Sequence, residues 1–289
     1  MEWLTARSDR PPAPSASVAL IRDDPQGLQV LMMERHGNAD VLGGAFVFPG
    51  GKVDTEDAEW IDRLDVEPAL LHHRLGEPTL QEAEAAALYV AAVREVFEET
   101  GVLFAGLPPD AVRSAWAALR QGPRFGELFE GSGLRLAASA LQPWSRWITP
   151  LVGGVVRKRF DTRFFIGAPP PGQEASHDEH EAVDSVWLSP REALRRYWEG
   201  GMTLAPPQIM GLTELARHKD TASALAAARE RPPPLIQPEQ LPDSPERGVC
   251  YPGDPAHSVA ERAWHGPTRL FWRNGRFEPE GGLRALLPE

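Results

Sequence analysis

β-Branched and long apolar residues fill positions 17–22 and 28–35, on either side of the turn-prone Asp23-Asp24-Pro25-Gln26-Gly27, and predict a β-hairpin with a longer loop. A third strand is predicted over 45–48, ended by Pro49-Gly50-Gly51. Residues 55–76 are acidic with scattered apolar positions (Trp60, Ile61, Leu64, Leu70, Leu71) and read as a loop with short helical pieces. From 79 to 100 the chain is rich in Ala, Glu and Leu and free of Pro and Gly, with Gly101 placed to cap a helix C-terminus. Further helices are predicted over 109–120, over 190–199 behind the capping Ser189, and over 208–218. Strands are predicted at 155–156, 163–167 and 183–188. Alternating strands and helices imply a layered α/β or α+β architecture. Residues 232–289 hold 11 of the 29 prolines, which predicts a largely irregular tail with a short hairpin around 270–277.

The 289 residues are 42% hydrophobic and 25% charged, enough for one sizeable core with attachments and against disorder of the whole chain. No window approaches 18 consecutive apolar residues, and residues 1–14 lack the apolar stretch of a leader, so the expectation is a soluble, cytoplasmic protein. The formal charge of −11 opposes binding to nucleic acid polymers and to anionic membranes. A single cysteine, Cys250, excludes an intrachain disulfide framework and a multi-cysteine zinc site. Only Lys52, Lys158 and Lys219 are lysines among 30 cationic residues, a bias from which no function is drawn.

Candidate chemistry concentrates in Arg94-Glu95-Val96-Phe97-Glu98-Glu99-Thr100-Gly101-Val102. On a helix, Glu98 lies about 60° from Glu95, and Glu99 about 40° from Glu95 on the other side, so three carboxylates share one face. Such a density of hard oxygen ligands suits Mg2+ or Mn2+ bridging to substrate phosphates; a solvated acidic face is the alternative. Arg94, just before them, is placed to orient a glutamate.

A strand running into Phe48-Pro49-Gly50-Gly51-Lys52-Val53-Asp54, followed by a helix bearing REVFEETGV, resembles the Nudix hydrolase family. The second half of that family's box matches at Arg94, Glu95, Val96, Glu98, Glu99, Gly101 and Val102. The first half departs from it: Arg94 follows Gly51 by 43 positions where the pattern has 14, an insertion of 29 residues. The first glutamate of the box has no match; Asp54 and Asp57 are the substitutes on offer. An interruption at this place resembles the long-insertion branch of the family, of the peroxisomal coenzyme A diphosphatase type. Trp147-Ile148-Thr149-Pro150, Trp187-Leu188-Ser189-Pro190 and Pro206-Pro207-Gln208 are further landmarks, and the likeness covers about 17–218. The chain ends Leu286-Leu287-Pro288-Glu289, which is no peroxisomal address.

The resemblance implies an α/β/α sandwich with a mixed sheet over 12–220, an insertion at about 55–83 inside the box, and a proline-rich C-terminal extension over 221–289. It also implies hydrolysis of a pyrophosphate linked to another moiety. Glu95, Glu98 and Glu99 would bind one or more Mg2+ or Mn2+ ions, with the Gly51 carbonyl as a further ligand and Arg94 holding a glutamate in place. Another carboxylate, as ligand or general base, is sought in His177-Asp178-Glu179-His180-Glu181, with Glu181 and Asp178 as candidates. Two histidines three apart without a third ligand do not make a zinc site. The densest basic cluster, Arg157, Lys158, Arg159 and Arg163, is proposed to supply one or two groups to the phosphates. The aromatic residues Trp144, Trp147, Phe160, Phe164 and Phe165 read as core rather than as nucleobase platforms. Coenzyme A or acyl-coenzyme A is the leading small-molecule substrate, with ADP-ribose or a dinucleotide as rivals. A nucleotide sensor without catalysis and an enzyme of oxidised nucleotides are the competing functions. The resemblance also leads one to expect a homodimer.

Overall fold

A computed structural model describes residues 11–37, 42–150, 158–176, 182–241 and 246–287. The chain opens with the predicted hairpin, β1 (Ala13–Asp24) and β2 (Gly27–Arg35), then β3 (Phe46–Val47) and β4 (Gly50–Lys52). The insertion forms a 3-10 helix (Thr55–Arg63) and α1 (Pro68–Leu75) before the long α2 (Glu82–Thr100). There follow α3 (Pro109–Leu119), a short turn α4 (Phe125–Leu128), β5 (Gln142–Ile148), β6 (Phe160–Gly167), β7 (Ala182–Leu188), α5 (Pro190–Glu199), α6 (Pro206–Leu215) and α7 (Thr221–Glu230). The C-terminal part adds β8 (Leu235–Ile236), β9 (Glu239–Gln240), β10 (Gly248–Cys250), β11 (Arg269–Arg273), β12 (Arg276–Glu278) and α8 (Leu283–Leu286).

The main sheet runs β3-β2-β1-β6-β5-β8, with β7 on β2 and β4 on β1. It is mixed, since β1–β6 and β5–β8 are parallel and the remaining pairs antiparallel. Side chains alternate across a strand, and here the alternation sorts the protein into two cores. Ala16, Val18 and Leu20 of β1, Leu31 and Met33 of β2 and Phe165 of β6 pack with α2 and the insertion. Ala19, Ile21, Val30, Met32, Phe164 and Ile166 face the other way, onto α5, α6 and the C-terminal sheet. The result is the expected three-layer α/β/α arrangement.

Helix α2 starts at Glu82 rather than at 79, because Gln81 remains extended and closes a reciprocal capping box with Glu84. It ends where predicted, on Gly101 at φ 73°, whose N–H reaches Phe97 O. Strand β5 carries no sequence signal: Pro143 interrupts it and the register shifts between Pro143 and Ser145. The predicted strand at 155–156 lies outside the described residues. The tail is less irregular than expected. The hairpin near 270–277 is present as β11–β12, but β9 and β10 extend it to a four-stranded sheet, and Asp220 caps the unforeseen α7.

Glu77, just past α1, docks the insertion on the sheet. It receives Arg163 Nε on Oε1 at 2.9 Å and pairs with Arg146 Nη1 at 2.8 Å, while Asp161 pairs with both arginines. Arg163 is only 4% exposed. Breaking a buried pair leaves a charge uncompensated and costs about 3–5 kcal/mol. With Asp161 remaining, Glu77→Ala is expected to lower the unfolding free energy by about 3 kcal/mol in urea titrations; a change under about 1 kcal/mol would show that the insertion is held elsewhere.

Candidate active site

The glycine turn is pressed between β1 and α2. Gly50 has φ 150° and stands so close to β1 that a Cβ would collide with the Ala16 carbonyl and Ser17. Its N–H donates to Glu99 Oε2 at 2.8 Å, which fixes a carboxylate that is only 6% exposed. Gly51 is equally constrained on its other side, where a Cβ would strike the Glu95 carboxylate. The two glycines thereby let α2 lay two of its glutamates directly against backbone.

Arg94 organises the rest. Its Nε and Nη2 donate to Asp57 Oδ1 and Oδ2 at 2.7 and 3.0 Å, and Nη2 also donates to the Lys52 carbonyl at 3.0 Å. Its Nη1 donates to Glu95 Oε1 at 2.8 Å and to Glu98 Oε2 at 3.0 Å. Asp57, 1% exposed, is held in turn by the Asp54 N–H at 2.7 Å. Of the two substitutes for the missing box glutamate, Asp57 is therefore the one that meets Arg94. Burial opposes the Arg94 charge, but the Asp57 hydrogen bond and the charges of Glu95, Asp57 and Glu98 outweigh it and hold the guanidinium well above its ordinary range. Burial pushes the Glu98 carboxyl up to about 7, Glu95 adding to the rise and Arg94 opposing it.

Glu95, Glu99, Gly50 and Gly51 form part of the wall of a cavity of about 420 Å3. Its floor is one face of the sheet: Ser15 and Ser17 of β1, Phe160, Thr162 and Phe164 of β6, and Trp147 of β5. Lys52 and Lys158 also line it.

Residues 4–215 match the family model described as NUDT19 Nudix domain. The chain belongs to the Nudix hydrolase family. It is 32% identical over 241 residues to the human acyl-coenzyme A diphosphatase NUDT19, covering 66% of this chain and 61% of that one. To the chicken protein of the same description it is 30% identical over 239 residues, covering 66% and 62%. The chain thus spans about three fifths of the length of these relatives. A solved Nudix hydrolase from Alicyclobacillus acidocaldarius superposes with a TM-score of 0.61 at 27% identity, over 76% of this chain and 97% of that one.

Nudix hydrolases generally use divalent cations, and the donors gathered at this Nudix box suit one. Arg94 holds one oxygen of Glu95 and one of Glu98, and Gly50 holds one of Glu99, so three carboxylates, hard oxygen donors of the kind a divalent ion prefers, are fixed along one stretch of helix. Asp57, Glu95 and Glu98 share the Arg94 guanidinium, and burial, with Glu95 and Asp57 adding to it, keeps the Glu98 carboxyl high. Among the described residues no three His, Cys, Asp or Glu side chains converge on one point; Arg94 stands between Glu95 and Glu98.

Of the residues singled out in the sequence, Glu95, Glu99 and Gly51 line the cavity, and Arg94 stands between Glu95 and Glu98 beside it. Arg163 is corrected. Alternation along β6 points Phe160, Thr162 and Phe164 into the cavity and Asp161, Arg163 and Phe165 away from it, so Arg163 is buried on Glu77 instead of facing phosphates. Arg159 Nε donates to the Thr149 carbonyl at 3.1 Å, at the strand end. Arg157, Glu181, Asp178, His177 and His180 lie outside the described residues. Trp147, Phe160 and Phe164 line the cavity, whereas Trp144 stacks near Trp264 and Phe165 against Tyr89, in the two cores. The sequence reading passed over Lys52, although in so arginine-rich a chain two of three lysines on one cavity was a signal that could have marked it.

The raised Glu98 value sets a pH dependence. The folded state holds the proton more tightly than the unfolded chain, whose value is near 4.5, so metal-free protein loses stability as pH climbs from about 4.5 through about 7. Glu98→Gln has no proton to lose. In chelator, its melting temperature is expected to exceed that of the wild type at pH 8, with the gain vanishing by about pH 4.5; a gain independent of pH, or a loss at pH 8, would contradict the assignment.

Proposed function

We propose that this chain is a diphosphatase that cleaves the pyrophosphate of coenzyme A or acyl-coenzyme A with Mg2+ or Mn2+. The observation that carries the reading is the cavity itself: glutamates of the Nudix helix and two lysines meet, in one cleft, a predominantly apolar wall. A pyrophosphate flanked by an apolar arm matches both characters, and the acyl-coenzyme A diphosphatases among its relatives support the same substrate class.

In this reading Glu95, Glu98 and Glu99 hold the cation, with the Gly51 carbonyl beside them. The bound ion supplies neutralisation of charge developing on the diphosphate and acidification of a water. Arg94 acts through Glu95 and Glu98, fixing their carboxylates while anchored on Asp57, and is a positioning residue. Lys52 and Lys158 bring compensating positive charge to a protein whose net charge is −11.

Purified protein with Mg2+ or Mn2+ is to be offered coenzyme A, acyl-coenzyme A, ADP-ribose, NADH and diadenosine polyphosphates, with products identified by mass. Cleavage of coenzyme A or its thioesters to the 3′,5′-ADP and phosphopantetheine halves is expected. Cleavage of ADP-ribose or a dinucleotide alone would replace the substrate, and cleavage of none would point to a sensor. On the best substrate, Glu98→Gln is expected to reduce kcat by at least about a hundredfold in a protein that still folds; an unaffected rate would remove Glu98 from the metal set.

A further inference from the structure

The carboxylates and lysines of the cavity come from α2, β4 and the residues just ahead of β6. The C-terminal extension contributes a different chemistry: Pro238, Val249 and Phe277, each buried and apolar. These residues precede β9, sit in β10 and sit in β12, so the small C-terminal sheet closes the space that the Nudix sheet leaves open. The closing sheet is fastened to α5. Tyr197 of α5 donates its hydroxyl to the Phe277 carbonyl at 2.6 Å and accepts the Phe277 N–H at 2.9 Å, and the Phe277 ring stands edge-on to Trp272 at 4.9 Å.

Two polar side chains of the wall add a second observation. Gln208 Oε1 and Trp147 Nε1 are buried and make no hydrogen bond among the described residues; the side chains belong to residues 5% and 4% exposed. One is an acceptor and the other a donor, and leaving either unpaired is costly. A purely alkyl ligand would leave them so. A chain carrying secondary amides offers an N–H to the first and a carbonyl to the second.

We infer that the part of the cavity walled by the C-terminal extension is the subsite for the amide-bearing, acylated arm of the substrate, and that Val249 and Phe277 set the acyl length accepted. The inference rests on the proposed acyl-coenzyme A reading and deepens it. The cavity, at about 420 Å3, falls within the roughly 300–1,000 Å3 of small-molecule sites, and its C-terminal wall lies apart from the glutamates in chemistry. The box selects the diphosphate and the extension selects what is attached to it. An enzyme with the same box and another extension would then accept another moiety.

The test uses the full chain and two opposed variants. Val249→Phe narrows the subsite and Phe277→Leu widens it. The ratio of kcat/KM for octanoyl-coenzyme A over coenzyme A is expected to fall at least about tenfold in the first, and the optimum acyl length to move to longer chains in the second, since a methylene or two in an apolar pocket is worth about 10-fold or more. In parallel, S-octanoyl-pantetheine, which has no diphosphate, is titrated calorimetrically into metal-free protein. Binding that weakens in Val249→Phe, and in Gln208→Leu, supports the subsite. Should Val249→Phe fail to fold, the Phe277→Leu length profile decides. An unchanged length profile, or no binding of S-octanoyl-pantetheine to the wild type, overturns the inference. Because that probe requires no hydrolysis, its failure alongside intact coenzyme A cleavage condemns the subsite alone, whereas binding without cleavage condemns the activity.

Discussion

The interaction on which the site depends is the one between Arg94 and its three carboxylates. A buried guanidinium is tolerable only with its donors satisfied in good geometry, and here one fork takes Asp57 while the remaining edge spans Glu95 and Glu98. Asp57 belongs to the 3-10 helix that opens the insertion and the glutamates to α2, so this single side chain ties the start of the insertion to the helix that follows it. That explains how the Nudix box survives interruption. Asp57 stands at the beginning of the insertion and Arg94 after its end, and the ion pair closes across the residues between them.

The same arrangement crowds negative charge around Arg94. Asp57, Glu95 and Glu98 share its guanidinium, and burial raises the cost of ionising Glu98. Glu98 pays no such penalty when it is protonated or when a cation sits beside it, which makes the acidic face a poor place for a bare protein and a good one for a divalent ion. On the other side of the sheet, charge is handled differently. Glu77, Asp161, Arg146 and Arg163 neutralise one another and fasten the insertion, with no opening to the cavity. Strand alternation separates the two networks: even positions of β6 serve the cavity and odd positions serve the clamp.

Much of this was legible in the sequence, and the limits have physical reasons. The carboxylate face of α2 followed from helical spacing alone, and the Gly50-Gly51 turn from its composition. Helix α2 and the hairpin of β1 and β2 were readable because their patterns are local. Strand β5 was hidden by Pro143 and a bulge, and the C-terminal sheet by its prolines, since each strand of it is two to five residues long and is stabilised by partners distant in the chain. Arg163 was misassigned because a cluster of basic residues in sequence is split between two faces in a strand. That Asp57, and not Asp54, meets Arg94 depended on the fold of the 3-10 helix, where Asp54 serves as the N-cap and Asp57 turns inward.

The most direct test is to locate the ion. Crystals of the full chain grown or soaked with Mn2+, with anomalous diffraction collected at the manganese edge, are expected to show a peak bounded by the Glu95, Glu98 and Glu99 carboxylates and the Gly51 carbonyl, with Arg94 still forked on Asp57. A manganese peak elsewhere, or none while Arg94 continues to hold Glu95 and Glu98 at saturating Mn2+, would contradict the account.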